Sequence, residues 1–221
     1  MRLWIKEHKY CLAGLYLFVF LAGFFALEAA PAEPKVIIRC AADDWIPFNE
    51  WFVLPYALWY LWVPACMLFF MLRDRAAYLE LCFIMFTGAT LCLAVYAVWP
   101  NGLDLRREIT ADNFCADLVR LLRSIDPPCN VCPSIHVSST AAVHLSLCRS
   151  RSLGKRTGIR MLSLFITAAI CVSTVFIKQH SVIDVLCGWL LSLSLTAAAS
   201  IYKGGKSCQT FMHFWPTGWK K

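Results

Sequence analysis

The segment WFVLPYALWYLWVPACMLFFML (51–72) runs for 22 residues without a charged side chain. A helix needs about 20 apolar residues to cross the ~30 Å hydrocarbon core of a bilayer, so this segment predicts a membrane-spanning helix. Four further segments have the same character: 11–27, 81–99, 161–177 and 185–202. Only 16% of the chain is charged, whereas roughly a quarter is usual in a soluble domain, and this excludes an ordinary soluble protein.

A sixth apolar segment, about 134–148, is shorter and carries polar side chains: His136, Ser138, Ser139, Thr140 and His144. Such a helix is stable in a membrane only when neighbouring helices cover its polar face. The sequence therefore predicts an all-α, polytopic membrane protein with six transmembrane helices in one bundle. No linker or internal repeat divides the chain, and we expect a single domain over 1–221.

The first apolar segment has two interpretations. It follows the basic start MRLWIKEHK (1–9) and precedes Ala-Pro-Ala at 30–32, as the apolar region of a signal peptide precedes its cleavage site. Its 17 uncharged residues exceed the 7–15 that are usual in such a region, which favours a retained helix.

The distribution of Lys and Arg predicts the orientation of the helices. If the N-terminus is cytoplasmic, the cytoplasmic segments carry 14 of the 21 basic residues, with RSRSLGKR (149–156) as the strongest anchor. Both termini are then cytoplasmic, and the tail 203–221 is predicted to bind the inner interface of the cell membrane through its Trp and Lys residues. The net charge of +7 follows from this asymmetry, so we expect membrane lipids rather than nucleic acid as partners.

The longest non-cytoplasmic segment contains TADNFCADLVRLLRSIDPP (110–128), which predicts an amphipathic helix. Thr110 is a suitable N-cap, and Pro127 and Pro128 end the helix. Its apolar stripe consists of Phe114, Leu118, Leu121, Leu122 and Ile125. We expect either an extracytoplasmic helix that lies on the membrane surface and covers an opening in the bundle, or a plain connector.

Four of the 12 cysteines, Cys40, Cys115, Cys129 and Cys132, fall in the predicted extracytoplasmic segments, where an oxidising compartment allows disulfides. CNVC (129–132) and His136 offer three potential metal ligands, and a closed zinc site needs four. We therefore expect no metal and no other cofactor.

The segment HSVID (180–184) places His180 and Asp184 four residues apart. On a helix, the Asp184 carboxylate can accept a hydrogen bond from one ring nitrogen and leave the other free as a nucleophile or base. A His–Asp pair that only caps the helix is the alternative.

The segment PSIH (133–136) predicts a helix start with Ser134 as its N-cap. Unpaired amides at a helix N-terminus attract phosphate oxygens, and His136 would lie beside an anion held there. Arg106 and Arg107 follow the third apolar segment and suit bidentate phosphate binding, the alternative being an interfacial pair. Together these residues predict a metal-free site for phosphoryl transfer that faces away from the cytoplasm.

The segments PSIH (133–136) and STVFIKQHSVID (173–184) resemble the second and third signature motifs of the type 2 phosphatidic acid phosphatase superfamily. The resemblance extends over about 96–188, and the motif order and predicted membrane face agree with it. It implies that His180 is the nucleophile and that Asp184 orients it. His136 would be the general acid and then the base.

The resemblance also implies a phosphate-binding set, and here the chain departs from the family. LRR (105–107) resembles the end of the first motif, but Trp99 stands where the family has Lys and Arg107 where it has Pro. Thr174 replaces the Arg of the third motif, and Lys178 is predicted to supply the missing charge. The expected phosphate-binding residues are Arg106, Ser134, Lys178, Arg107, Ser173 and Thr174.

A smaller cationic set and the segment QHSVIDV (179–185) also resemble the sphingomyelin and inositol phosphorylceramide synthase branch. The implied function is a metal-independent lipid phosphatase that acts through a phosphohistidine on a lipid phosphate. Transfer of a lipid head group to another alcohol is the alternative within the same chemistry. A non-enzymatic transporter or pseudoenzyme is the alternative of another class.

Overall fold

The computed structural model describes residues 8–29 and 33–204, which form eight α-helices and two very short strands. The helices are α1 (Tyr16–Ala29), α2 (Ala41–Trp45), α3 (Val53–Arg73), α4 (Arg75–Val98), α5 (Phe114–Ile125), α6 (Ile135–Arg149), α7 (Thr157–Phe176) and α8 (Val182–Gly204). Turns of 3-10 helix, Lys9–Leu15 and Glu50–Phe52, precede α1 and α3. Strands β1 (Val36–Ile37) and β2 (Asn101–Gly102) pair in parallel.

Five helices are long and apolar enough to cross a membrane, and they coincide with the five uncharged segments of the sequence. They are Lys9–Ala29, Glu50–Arg73, Arg75–Val98, Thr157–Phe176 and Val182–Tyr202. Large apolar side chains on their outer surfaces are exposed, as a hydrocarbon surrounding requires, among them Leu61, Phe165, Leu190 and Ile201. The prediction of a mainly helical protein is confirmed, and these five helices are consistent with an integral membrane protein by their length and composition.

Helix α6 is the shorter helix predicted at about 134–148, and it forms the centre of the bundle. It packs against α3, α4, α7 and α8, and Val137, Ala141 and Ala142 are completely buried. Its 15 residues span only about 22 Å, less than the hydrocarbon core, so it is not among the five. The surrounding helices cover its polar side chains, as the sequence predicted.

Close packing brings the start of α8 against the start of α6. Gly188 makes this contact possible, because a Cβ atom there would lie 2.9 Å from the Ser134 carbonyl oxygen and 3.0 Å from the Cβ of Val137. The backbone amide of Ser134 also donates to the Asp184 carbonyl oxygen at 3.3 Å. The two segments that carry the predicted histidines are therefore held together by backbone contacts.

The two ends of the bundle differ in charge and in content. At one end, the turn after α6 binds the turn between α3 and α4: Ser150 Oγ donates to Asp74 Oδ2 at 2.7 Å, and Arg149 Nε lies 2.5 Å from Glu80 Oε1. This end carries the basic segment 149–156. At the opposite end, the Asn49 amide donates to the Phe176 carbonyl oxygen at 3.1 Å, which joins the start of α3 to the end of α7. Both histidine-bearing segments lie at this second end.

Helix α1 packs on α4 but contributes no buried residue. The Tyr16 hydroxyl bonds to Thr90 Oγ1, and the ring of Tyr16 contacts that of Phe86. The core formed by α3, α4 and α6–α8 therefore does not rest on α1. The basic residues 1–7, the Ala-Pro-Ala segment and the tail 205–221 lie outside the described residues, so the predictions made for them remain predictions.

Helix α5 forms as predicted but begins later. Its N-cap is Asn113, whose Oδ1 accepts the Ala116 amide at 3.0 Å, and the prediction of Thr110 was wrong. Its inner face, with Cys115, Ala116 and Val119 buried, packs beside the start of α3. The opposite face exposes three residues of the predicted stripe, Phe114, Leu121 and Ile125.

Candidate active site

His136 and His180 converge from different helices at the same end of the bundle. His136 lies in the first turn of α6, and His180 lies in the short loop between α7 and α8. The Nδ1 of His136 is 3.5 Å from the Nε2 of His180, and the ring centroids are 5.7 Å apart. The two imidazoles predicted from the sequence therefore share one site.

Asp184 lies in the first turn of α8, where it pairs with Nδ1 of His180 and also caps the start of the helix. Its Oδ2 lies 3.3 Å from His180 Nδ1 and accepts the Ser181 amide at 2.8 Å. Asp184 is completely buried, and its Oδ1 has no hydrogen-bond partner within the described part of the chain. With the Nδ1 proton directed to the carboxylate, Nε2 carries the free electron pair and faces His136. The pairing role and the capping role that the sequence left as alternatives thus occur together.

The second nitrogen of His136 is bound by a residue that the sequence analysis missed. The hydroxyl of Tyr56, in the first turns of α3, lies 2.9 Å from His136 Nε2. Trp59 lies against the same imidazole, with ring centroids 4.5 Å apart, and its Nε1 donates to Ser139 at 2.9 Å. A buried tyrosine in an apolar helix usually bonds a polar partner, which is the signal that could have identified Tyr56.

Arg106 reaches the site from the segment that follows β2. Its Nη2 donates to the Asp126 carbonyl oxygen at 2.7 Å and to the side-chain oxygen of Gln179, the residue before His180. Its Nε is buried without an acceptor among residues 8–29 and 33–204. Burial lowers the pKa of Arg106, and the neighbouring Asp126 partly opposes this shift. The guanidinium predicted to bind phosphate is therefore beside the predicted nucleophile.

Lys178 has a different environment from the one predicted. Its ammonium group donates to the carbonyl oxygens of Asp43, at 2.7 Å, and Ile46, at 2.6 Å. Its backbone has φ = 59°, a left-handed conformation that is uncommon for a residue with a side chain. Burial lowers the pKa of Lys178, and Asp43 opposes this shift. Its charge therefore holds the segment around α2.

The remaining predicted phosphate ligands are distributed as follows. Ser134 is buried and caps α6, its Oγ accepting the Val137 amide at 3.3 Å. Ser173 and Thr174 are buried in α7 and donate to carbonyl oxygens of their own helix. Arg107 lines an open cavity of about 280 Å³ on the outside of the site, together with Arg39, Asp104, Arg106 and Lys178. These contacts neither add nor remove a phosphate-binding role, which stays a prediction.

Asp126 is a further carboxylate near the site that the sequence analysis missed. It ends α5, and its backbone carbonyl binds Arg106. Burial raises the pKa of Asp126, and the charges of His180 and Arg106 act in the opposite direction. In the sequence it is only the residue before two prolines, and its position depends on the packing of α5.

The described residues contain no group of three or more His, Cys, Asp or Glu side chains placed to hold a metal ion. The eleven cysteines among them are all free, so none of the predicted extracytoplasmic cysteines is in a disulfide.

The arrangement can perform nucleophilic and acid–base chemistry. An imidazole with a bound carboxylate, a second imidazole within reach and a guanidinium beside them are the groups that transfer of an anionic phosphoryl group requires. Comparison with protein-family models and with curated proteins gives no match for this chain. The functional assignment therefore rests on the site and on the motif resemblance.

Proposed function

We propose that the protein is a membrane enzyme that removes the phosphoryl group from a lipid phosphate through a phosphohistidine. The observation that carries the proposal is the convergence of His136, His180 and Asp184 at one end of the bundle. The resemblance of 133–136 and 173–184 to two motifs of the type 2 phosphatidic acid phosphatase superfamily supports it.

In the first step, Nε2 of His180 attacks phosphorus and the bond from phosphorus to the lipid oxygen breaks. His136 donates its Nδ1 proton to that oxygen, and the lipid alcohol leaves. The two nitrogens are 3.5 Å apart, so the rings must separate to admit a phosphoryl group between them. Asp184 stabilises the positive charge that His180 acquires.

In the second step, the neutral His136 accepts a proton from water on Nδ1 while the water oxygen attacks phosphorus. The bond between phosphorus and Nε2 then breaks, inorganic phosphate leaves, and His136 is again protonated. Arg106 and the free amides at the start of α6 are suited to bind the phosphate oxygens throughout. No metal takes part in either step.

The membrane arrangement belongs to the same proposal. The basic segment 149–156 lies at the end opposite the histidines, and by the positive-inside rule this supports a site on the extracytoplasmic face of the cell membrane. Helix α6 would be a sixth, short span inside the bundle. The exposed apolar face of α5 would lie in the outer interface, near the site.

Transfer of a head group to a second alcohol is the alternative that one observation favours. Trp99 and Thr174 replace two cations of the hydrolases, and Thr174 is buried with its hydroxyl bonded to Cys171. A smaller cationic set also occurs in the sphingomyelin and inositol phosphorylceramide synthase branch.

The test is a panel of labelled lipid phosphates presented to purified protein in detergent, with and without ceramide or diacylglycerol. Free phosphate supports hydrolysis, and a new labelled lipid supports transfer. His180→Ala should abolish turnover, EDTA should leave it intact, and acid-labile phosphate should be trapped on wild-type protein. Full turnover by His180→Ala would refute the assignment.

A further inference from the structure

The loop between α7 and α8, which carries His180, is bound by α2. This helix lies outside the segments that resemble the phosphatase motifs. Asp43 in α2 is almost completely buried although it lies in a polar connecting segment. Its Oδ2 accepts Ser181 Oγ at 2.7 Å, and its Oδ1 accepts the Val182 amide at 2.9 Å. Ser181 and Val182 directly follow His180, and they lie 138 and 139 positions after Asp43 in the chain.

The carboxylate of Asp43 suits this position electrostatically. It faces the N-terminus of α8, where free amides and the positive end of the helix dipole favour a negative charge. Burial alone would raise the pKa of Asp43, but hydrogen bonds from Ser181, Val182 and Cys40 outweigh burial and lower it. Asp43 is therefore ionised at neutral pH and accepts all of these bonds.

Asp43 and the catalytic groups are connected through Ser181. The backbone amide of Ser181 donates to Asp184 Oδ2, the same oxygen that faces His180 Nδ1. The side chain of Ser181 is held by Asp43. Movement of Ser181 would therefore displace the carboxylate that orients the imidazole. Lys178 reinforces the contact from the other side through the carbonyl oxygens of Asp43 and Ile46.

We infer that Asp43 is a positioning residue for His180, holding the loop 178–182 so that Nε2 points at His136. The catalytic part of this inference rests on the proposed function, whereas the role of Asp43 in holding the loop can be tested without any activity. Asp43 touches neither imidazole in these contacts, so it acts through Ser181 and Asp184.

The neighbouring residue provides a matched control. Asp44 lies in the same short helix and carries the same charge, but it is exposed and pairs with Arg39 at 2.6 Å. Such a surface pair contributes little to stability. Asp43→Asn replaces one acceptor oxygen of the buried carboxylate with a donor, whereas Asp44→Asn leaves the loop contacts unchanged.

The experiment measures hydrogen exchange and turnover on the full-length protein in detergent. Asp43→Asn should speed amide exchange in peptides covering 178–184 and leave α4 peptides unchanged, and Asp44→Asn should match the wild type. With a lipid phosphate substrate, kcat per folded molecule should fall by about tenfold to a hundredfold in Asp43→Asn, with KM unchanged.

Each outcome bears on a distinct claim. Unchanged exchange at 178–184 overturns the inference whether or not the protein has activity, and increased exchange with unchanged kcat overturns the positioning role. Activity absent from the wild type sinks the proposed function, while exchange still decides whether Asp43 holds the loop. Should Asp43→Asn fail to fold, Ser181→Ala removes the same side-chain bond, and its normal kcat would equally count against the inference.

Discussion

The hydroxyl of Tyr56 lies 2.9 Å from Nε2 of His136, on the side of the imidazole opposite His180. His136 is therefore held at both ring nitrogens, by α3 on one side and by the partner histidine on the other. When Nε2–H donates to Tyr56, Nδ1 is the nitrogen that would exchange protons in the proposed reaction. Tyr56 thus binds the ring nitrogen of His136 that faces away from His180, just as Asp184 binds the ring nitrogen of His180 that faces away from His136.

We expect Tyr56→Phe to lower kcat about tenfold, because the phenyl ring keeps the packing but no longer fixes the orientation of His136. Steady-state kinetics with a lipid phosphate would measure the change. Tyr10→Phe is the control, since the Tyr10 hydroxyl donates to the Met71 carbonyl oxygen at 2.9 Å, at the opposite end of α3. Equal losses in the two variants would contradict the role of Tyr56.

We expect His136→Gln to slow release of a lipid alcohol by about 10²–10⁴-fold, the range associated with loss of a general acid or base. An aryl phosphate with a good leaving group does not need the proton, so this variant should give a burst of phenol and accumulate phosphohistidine. Rapid-mixing kinetics would detect the burst. His144→Gln is the control: His144 lies two turns deeper in α6, bound to Ser163 at 3.0 Å, and its replacement should leave turnover intact.

Asp126 leads to a prediction about stability and pH. Its pKa is raised by burial, so the folded protein binds this proton more tightly than the unfolded chain does. The stabilising contribution is complete below the unfolded pKa of about 3.9 and is lost as pH rises through the folded pKa. Asp126→Asn should therefore raise the thermal unfolding midpoint at pH 7, with the gain shrinking toward pH 4.

The control for the Asp126→Asn prediction is Asp117→Asn, a change of the same kind in α5. Asp117 is exposed and pairs with Arg120 at 2.7 Å, so its neutralisation should change the midpoint little at either pH. A midpoint for Asp126→Asn at or below that of the wild type at pH 7 would show that the charge of Asp126 is well compensated in the fold.

The spans could be predicted from the sequence because uncharged length alone specifies them. The residue at which α5 starts could not be predicted, although the preference of helix N-caps for Thr and Asn holds here. Thr110 and Asn113 are both good N-caps, and tertiary contact decides between them. The side-chain nitrogen of Asn113 donates to Glu50 at 3.0 Å, which fixes the start of α5 beside the start of α3.

The candidate site was partly predictable for a related reason. The four-residue spacing indicated the His180–Asp184 pair, although His180 lies in the loop before α8 and not on the helix as expected. The helix start at Ser134 located His136. Tyr56 and Asp43 lie about 80 and 138 residues from their partners, and no local pattern joins residues so far apart. Asp43 and Asp44 are equivalent in the sequence, and only the folded chain shows which one faces the loop.

Gly188 gives the most direct test of how the two histidine segments are held together. In Gly188→Ala, the new methyl group would lie 2.9 Å from the Ser134 carbonyl oxygen and 3.0 Å from the Cβ of Val137. These distances are shorter than ordinary van der Waals contacts, so the backbone of α6 or α8 would have to move. We expect about 1–3 kcal/mol of destabilisation, the usual cost of overpacking. Separation of α8 from α6 should also lower kcat.

The control for Gly188→Ala is Gly158→Ala in α7, where a Cβ atom meets nothing within 4 Å among the described residues. This second replacement should leave the stability unchanged or slightly higher, because alanine loses less backbone entropy than glycine and Gly158 is only the second residue of α7. Thermal unfolding in detergent and turnover of a lipid phosphate would be measured on both variants. Since backbone entropy favours alanine over glycine at both positions, a loss of stability in Gly188→Ala has to come from the close contacts around it. If Gly188→Ala were as stable and active as Gly158→Ala, the close approach of α8 to α6 would not be what brings His180 to His136.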